Sequence, residues 1–332
     1  MTDLHPTDDL DRALSALHAD VDTDLARIEQ TRAAFLEIVA APAPKRRTRR
    51  WLIAAAAAAA LVVGGSIYTT TLSGGSAEAR SALNGAAQQI TGAPDPVVPA
   101  GQYRHLTQRS WTEGFTEIPG GGLTYLEETV IELWIPSDVR STWYQRQTTT
   151  GRHQWIDGSD AEARKNGITF DRKTSKSSAA CGNFTGNGGF CNPAGSWADP
   201  SQAWLASLPK DPKAFYQQLK KDSPHNSRGE TELVVYAQDA LRTGLLPADT
   251  RATLYRALTN LKHLKITDRA ANLDGKVGIA YSSDDGSTRE EIVIDPHTGA
   301  YLGSRQVSTE GPTKGRILTY TSFTTAVTKA PY

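Results

Sequence analysis

Hydrophobic positions change period several times along the chain, and each change marks a different element. Over residues 8–39, Leu14, Val21, Ile28 and Phe35 recur every seven positions. Leu10, Leu17 and Ile38 occupy the second seam position, which Asp24 and Thr31 interrupt. This heptad-like stripe predicts one amphipathic helix. Thr7 or Asp8 caps it, and Asp8, Asp9 and Asp11 suit the positive end of its dipole. Pro42-Ala43-Pro44 breaks the pattern. From Trp51 to Tyr68 the chain carries no charge: Trp51-Leu52-Ile53, seven alanines, then Leu61 to Tyr68. As a helix this run spans roughly 27 Å, close to the hydrocarbon thickness of a bilayer.

After Ser73-Gly74-Gly75-Ser76 and a short alanine-rich helix at 77–90, the segment Ala93 to Pro99 is a proline-rich spacer. The period then becomes two. Strands are expected at Gln102–Trp111, Leu123–Ile135 and Ser141–Trp155, with Gly120-Gly121-Gly122 as a hairpin loop. Residues 165–197, rich in Gly, Asn and Ser, read as a long loop. Helices follow at about 199–208, 211–221, 229–244 and 248–261, the second opened by the cap pair Asp211-Pro212. The rest is a run of strands separated by turn signals at Asn272–Gly275, Asp284-Asp285-Gly286 and Asp295-Pro296-His297-Thr298-Gly299, ending in a strand at 315–326. Sequential strands with short turns make an antiparallel meander. The expected fold class is α+β: a cytoplasmic helix, a transmembrane helix, and a curved antiparallel sheet with helices packed on it.

Charge orients the apolar run. Lys45, Arg46, Arg47, Arg49 and Arg50 precede it, whereas the far flank offers only Glu78 and Arg80. The positive-inside rule places the N-terminus in the cytoplasm. A buried soluble helix is one rival, and a cleaved signal peptide is another, but an n-region of about fifty residues is far too long for the latter. The expected organisation is a cytoplasmic helix and basic cluster (1–50), an uncleaved anchor (51–72), a linker with a short helix (73–100) and an extracytoplasmic domain (101–332). Net charge is zero, so no nucleic-acid partner is implied.

Chemistry enters sparingly. Cys181 and Cys191 are the only cysteines, with nine residues between them in the long loop. On the oxidising side of a membrane they read as a disulfide. The histidines are scattered, with no HExxH, P-loop, GxSxG or CxxC pattern. Glu127-Glu128 and Asp284-Asp285 are sequence neighbours, which a strand sends to opposite faces, so they make poor acid/base partners. No catalytic residue, metal or cofactor is assigned, and the expectation is a non-enzyme. Six tryptophans fall in the outer domain: Trp111, Trp134, Trp143, Trp155, Trp197 and Trp204. They are either core residues or the lining of a groove for an apolar or glycan ligand.

The whole layout resembles a family of uncharacterised actinobacterial membrane proteins often encoded beside extracytoplasmic-function sigma factors. The resemblance rests on the acidic helix with Leu10 and Leu17, the anchor at 45–68, Gly101-Gln102-Tyr103, Leu254-Tyr255-Arg256-Ala257-Leu258, Asp274 to Gly278, and Ile294 to Gly299 with Leu302-Gly303. It implies an anti-sigma-like regulator, although zinc-containing anti-sigma domains carry a His and a CxxC in their cytoplasmic part and the first fifty residues here hold no cysteine. The expected function is a membrane-anchored extracytoplasmic sensor or binding protein. Leu14, Leu17, Val21, Ile28 and Phe35 would engage a cytoplasmic sigma factor or regulator, and the outer domain an envelope ligand. The alternative is an envelope carrier or scaffold for lipid or cell-wall material.

Overall fold

The computed structural model describes residues 75–92 and 95–332. The expected helix at 8–39, with Leu14, Leu17, Val21, Ile28 and Phe35, and the expected anchor at 51–72 lie outside the described residues. Among the described residues, no helix is long and apolar enough to cross a membrane.

The strands are β1 (Tyr103–Ile118), β2 (Gly121–Pro136), β3 (Thr142–Asp157), β4 (Lys173–Ala180), β5 (Lys265–Leu273), β6 (Lys276–Asp284), β7 (Thr288–Ile294), β8 (Tyr301–Ser308) and β9 (Ile317–Thr328). They form one antiparallel sheet in the order β4-β3-β2-β1-β9-β8-β7-β6-β5. Two meanders are thus joined by one long-range pairing, β1 against β9. β1 and β2 pair over their full length, from Tyr103↔Pro136 to Ile118↔Gly121. The hairpin is therefore longer than the apolar alternation foretold, and its turn is Pro119-Gly120 rather than a three-glycine loop. Its outer third projects beyond the core, where Phe115 is largely exposed. β4 was not anticipated: it lies within the segment read as loop, carries Lys-Thr-Ser-Lys-Ser-Ser, and is a solvent-facing edge strand with β3 as its one neighbour. An edge strand without a buried face shows no hydrophobic period, and its lysines are common edge protection.

The helices are α1 (Ser76–Gly92), α2 (Asp160–Lys165), α3 (Gln202–Ser207), α4 (Pro212–Asp222), α5 (Glu230–Arg242) and α6 (Ala248–Leu258). Asp211 caps α4, accepting the Ala214 N–H at 2.8 Å with Pro212 in the first turn. α5 buries Leu233, Val234, Ala237, Ala240 and Leu241, the three-and-four spacing of a helix with one covered face. α1, expected inside a linker, is a core element. Ala79, Leu83, Ala87 and Ile90 are buried, and the Arg80 guanidinium donates to the Thr259 and Leu261 carbonyls at 2.8 and 3.0 Å. Gly299, at φ +70°, ends the Asp295 turn against α1; a Cβ there would stand 2.3 Å from the Ala86 carbonyl oxygen. Only glycine satisfies both the backbone angle and the close approach.

Strand alternation divides the sheet. Ile266, Tyr281, Ile292, Ile294, Tyr301 and Phe323 join Leu83, Phe215, Leu219, Leu254 and Tyr255 in the main core under the helices. Ala271, Leu273, Ala280, Val293 and Leu302 form a smaller core with Tyr320. The sheet is strongly curved. Asp274, at the β5–β6 turn, accepts from Ser322 of β9 and lies 3.6 Å from Arg109 of β1, and Lys276 donates to the Phe323 carbonyl at 3.2 Å.

Candidate functional site

Cys181 and Cys191 lie at disulfide-bonding distance, with Cα atoms 5.7 Å apart. The bond ties the end of β4 to a short 3₁₀ turn at Gly189–Cys191, where Phe190 packs near Trp143. The chain then runs directly into Gly195-Ser196-Trp197. Gly195 is required here, because a Cβ would stand 2.6 Å from that of Trp204 and 2.7 Å from the Ser201 nitrogen. Ser201 caps α3 by accepting the Trp204 N–H at 3.1 Å, which fixes where the second tryptophan begins.

Trp197 and Trp204 meet edge to face, their centroids 5.0 Å apart and their planes at 87°. Phe215 of α4 backs Trp197 at 5.4 Å. The Trp197 indole N–H donates to Asp222 Oδ2 at 3.0 Å, and Gln218 Nε2 donates to Asp222 Oδ1 at 2.8 Å. Trp197, Trp204, Gln218 and Asp222, with Ser207, Leu208 and Tyr236 of α5, line an open pocket of about 440 Å³. That volume falls within the usual range for small-molecule sites. The partly exposed Trp204 ring supplies an apolar face, with the buried Trp197 ring against it, and Asp222, Gln218 and the hydroxyls supply directional polar groups. Among the described residues, Asp222 is the only charged side chain on its walls.

A second pocket, of about 230 Å³, lies between α5 and β7–β9. Its charges are already spoken for. Glu290 accepts from Arg228 at 2.5 Å and Gln306 at 2.7 Å; Asp285 accepts from Arg228 at 3.0 Å; Asp239 pairs with Arg242 at 3.0 Å. Burial pushes the Asp285 carboxyl up, but the Thr288 N–H, the Arg228 guanidinium and the Ser287 N–H together outweigh it and hold it well below the usual carboxylate range. Burial raises Asp239, with Arg242 opposing. This cluster fastens the start of α5 to the β6–β7 turn.

The sheet face away from the helices carries two further buried ionic groups. Glu128 accepts from Arg109, from Arg152 at 3.1 Å and from Thr150 at 2.6 Å. Glu291 accepts from Arg305 at 2.6 Å, Arg289 at 2.7 Å and Thr267 at 2.8 Å, and Arg305 reaches Asp268 at 3.2 Å. Each buried carboxylate is neutralised and hydrogen-bonded, the arrangement that burial of charge demands. Toward β3, His105 stacks on Trp134 at 4.5 Å, and Arg146 lies over the same ring while holding Glu132 in a two-pronged pair at 2.5 and 2.7 Å. Burial lowers the His105 pKa despite Glu132 beside it.

The acidic pairs singled out from sequence therefore serve structure: Glu128 is buried among arginines, and Asp285 organises a turn. Among the described residues, no group of three or more His, Cys, Asp or Glu is placed to hold a metal ion. Of the six tryptophans in residues 101–332, Trp111, Trp134, Trp143 and Trp197 are buried in packing, Trp155 donates to Asp160 at 2.9 Å, and Trp204, partly exposed, lines the pocket beside Trp197. Gln218, Asp222 and Tyr236 gave no signal in the sequence, since they come from two helices with no common spacing. Compared with known proteins, the chain matches no family model, no curated protein and no solved structure.

Proposed function

We propose that this chain is a membrane-anchored extracytoplasmic binding protein, held by residues 51–72, that reports ligand occupancy to a cytoplasmic partner through its N-terminal helix. The carrying observation is the Trp197–Trp204–Asp222 pocket, in which a partly exposed indole lies beside fixed polar groups. A disulfide-bonded cysteine pair beside it agrees with an oxidising compartment, and the basic-then-apolar tract agrees with a domain outside and a helix inside. The carrier alternative calls for an apolar lumen. Between helices and sheet that space is filled by Leu83, Phe215, Leu254, Tyr255 and Ile292, which favours the sensor reading.

On this reading Leu14, Leu17, Val21, Ile28 and Phe35 form the stripe that docks in a partner's groove. The acidic flanks select a basic partner surface, and an extracytoplasmic-function sigma factor is the proposed class of partner. The test uses the full chain in lipid nanodiscs with the sigma factors of the organism that encodes it. Wild type should retain one of them, and Val21→Asp with Ile28→Asp should release it without changing membrane integration. Retention of none, or equal retention by the double variant, contradicts the proposal.

A further inference from the structure

We propose that the Trp197–Trp204 pocket takes a neutral pyranoside, one or two sugar rings of an envelope glycan. This names the ligand of the site on which the proposed function rests. A sugar ring presents a face of C–H groups and a rim of hydroxyls, so it needs an aromatic plane next to polar groups that both donate and accept. The Trp204 indole, partly exposed, gives such a plane, and the buried Trp197 ring stands against it at 87° and holds it in place. Each Asp222 oxygen accepts one internal hydrogen bond, from Trp197 or Gln218, and keeps acceptor capacity for a ligand hydroxyl. The same two bonds fix the carboxylate, so a ligand meets it preorganised. Ser207 donates to the Trp204 carbonyl at 2.7 Å, leaving its oxygen free to accept.

The other ligand classes fit less well. Among the described residues Asp222 is the only charge on the walls, with no Lys, Arg or His beside it, so a phosphate or carboxylate would face a carboxylate without a counter-ion. A lipid chain would strip water from Asp222, Gln218 and Ser207 and return no hydrogen bond. A quaternary ammonium is held by rings on several sides, whereas most of the exposed lining here is polar.

The full chain in nanodiscs, free of sugar-based detergent, is titrated with N,N′-diacetylchitobiose, maltose, choline chloride and inorganic phosphate. Tryptophan fluorescence and saturation transfer to ligand protons are the readouts. One of the disaccharides should bind, with saturation on its ring C–H protons and little dependence on salt. Trp204→Ala should weaken binding about tenfold or more, Asp222→Ala should weaken it as well, and Trp204→Phe should keep most of it. Near-ultraviolet circular dichroism of each variant checks that the fold is intact, and Asp222→Ala carries the test where Trp204→Ala does not fold. Binding of neither disaccharide, or binding unaffected by Trp204→Ala and Asp222→Ala, overturns the proposal. Choline binding that is lost in Trp204→Ala overturns the sugar but keeps the pocket as the ligand site. Failure of the wider reading shows instead as loss of the expected topology, whatever the pocket binds.

Discussion

Arg305 is a cation almost wholly out of water, at 3 % side-chain exposure, held between Glu291 and Asp268. Truncating it leaves two carboxylates short of a partner. Arg305→Met should therefore cost about 3–5 kcal/mol, read from the midpoint of chemical denaturation. Asp285 offers a pH-resolved test. Its folded pKa lies well below its ordinary value, so its contribution is fully present above about pH 4 and fades as pH falls through the folded pKa. The stability gap between wild type and Asp285→Asn should be constant near neutrality and shrink on acidification below about pH 4. A gap that widens there contradicts the assignment. Neither role was legible beforehand: alternation showed that Glu127-Glu128 and Asp284-Asp285 do not act as pairs, but arginine partners 19 to 57 residues away became visible only on folding.

At the scale of elements, legibility followed apolar content. β2, α4, α5 and the β5–β9 run carry a buried face, and their periods were plain. β4 carries none and was missed. α1 was placed correctly along the chain but read as part of a linker, because alanines at a close helix–helix contact look the same as alanines in a spacer. The disulfide belongs here too. It closes a loop of ten residues, and on the chain-entropy account its loss should cost about 3 kcal/mol. Cys191→Ser should unfold earlier in denaturant than oxidised wild type by that amount and should match wild type treated with reductant. Because the bonded turn leads into Gly195–Trp197, the variant should also bind its ligand more weakly.

For the molecule as a whole, the antiparallel α+β class with helices on a curved sheet was legible from turn signals and strand order. What joined the two meanders was not: β1 pairs with β9 across more than two hundred residues, for example His105 with Ala326, and no local pattern encodes such a partner. The pocket was half legible for the same reason. Trp197 and Trp204 stood out as tryptophans, but Asp222 and Tyr236 reach them only because α4 and α5 pack where the disulfide-tied loop returns. The central claim is that one chain carries a ligand site outside the membrane and a partner-binding helix inside it. Protease added to intact spheroplasts tests this most directly, with the surviving fragments mapped by mass spectrometry. The account predicts that peptides from residues 101–332 are cut while those carrying Leu14 to Phe35 are protected until the membrane is opened. Cleavage of Leu14 to Phe35 from outside, or protection of residues 101–332 in spheroplasts whose opened membranes allow their digestion, would contradict it.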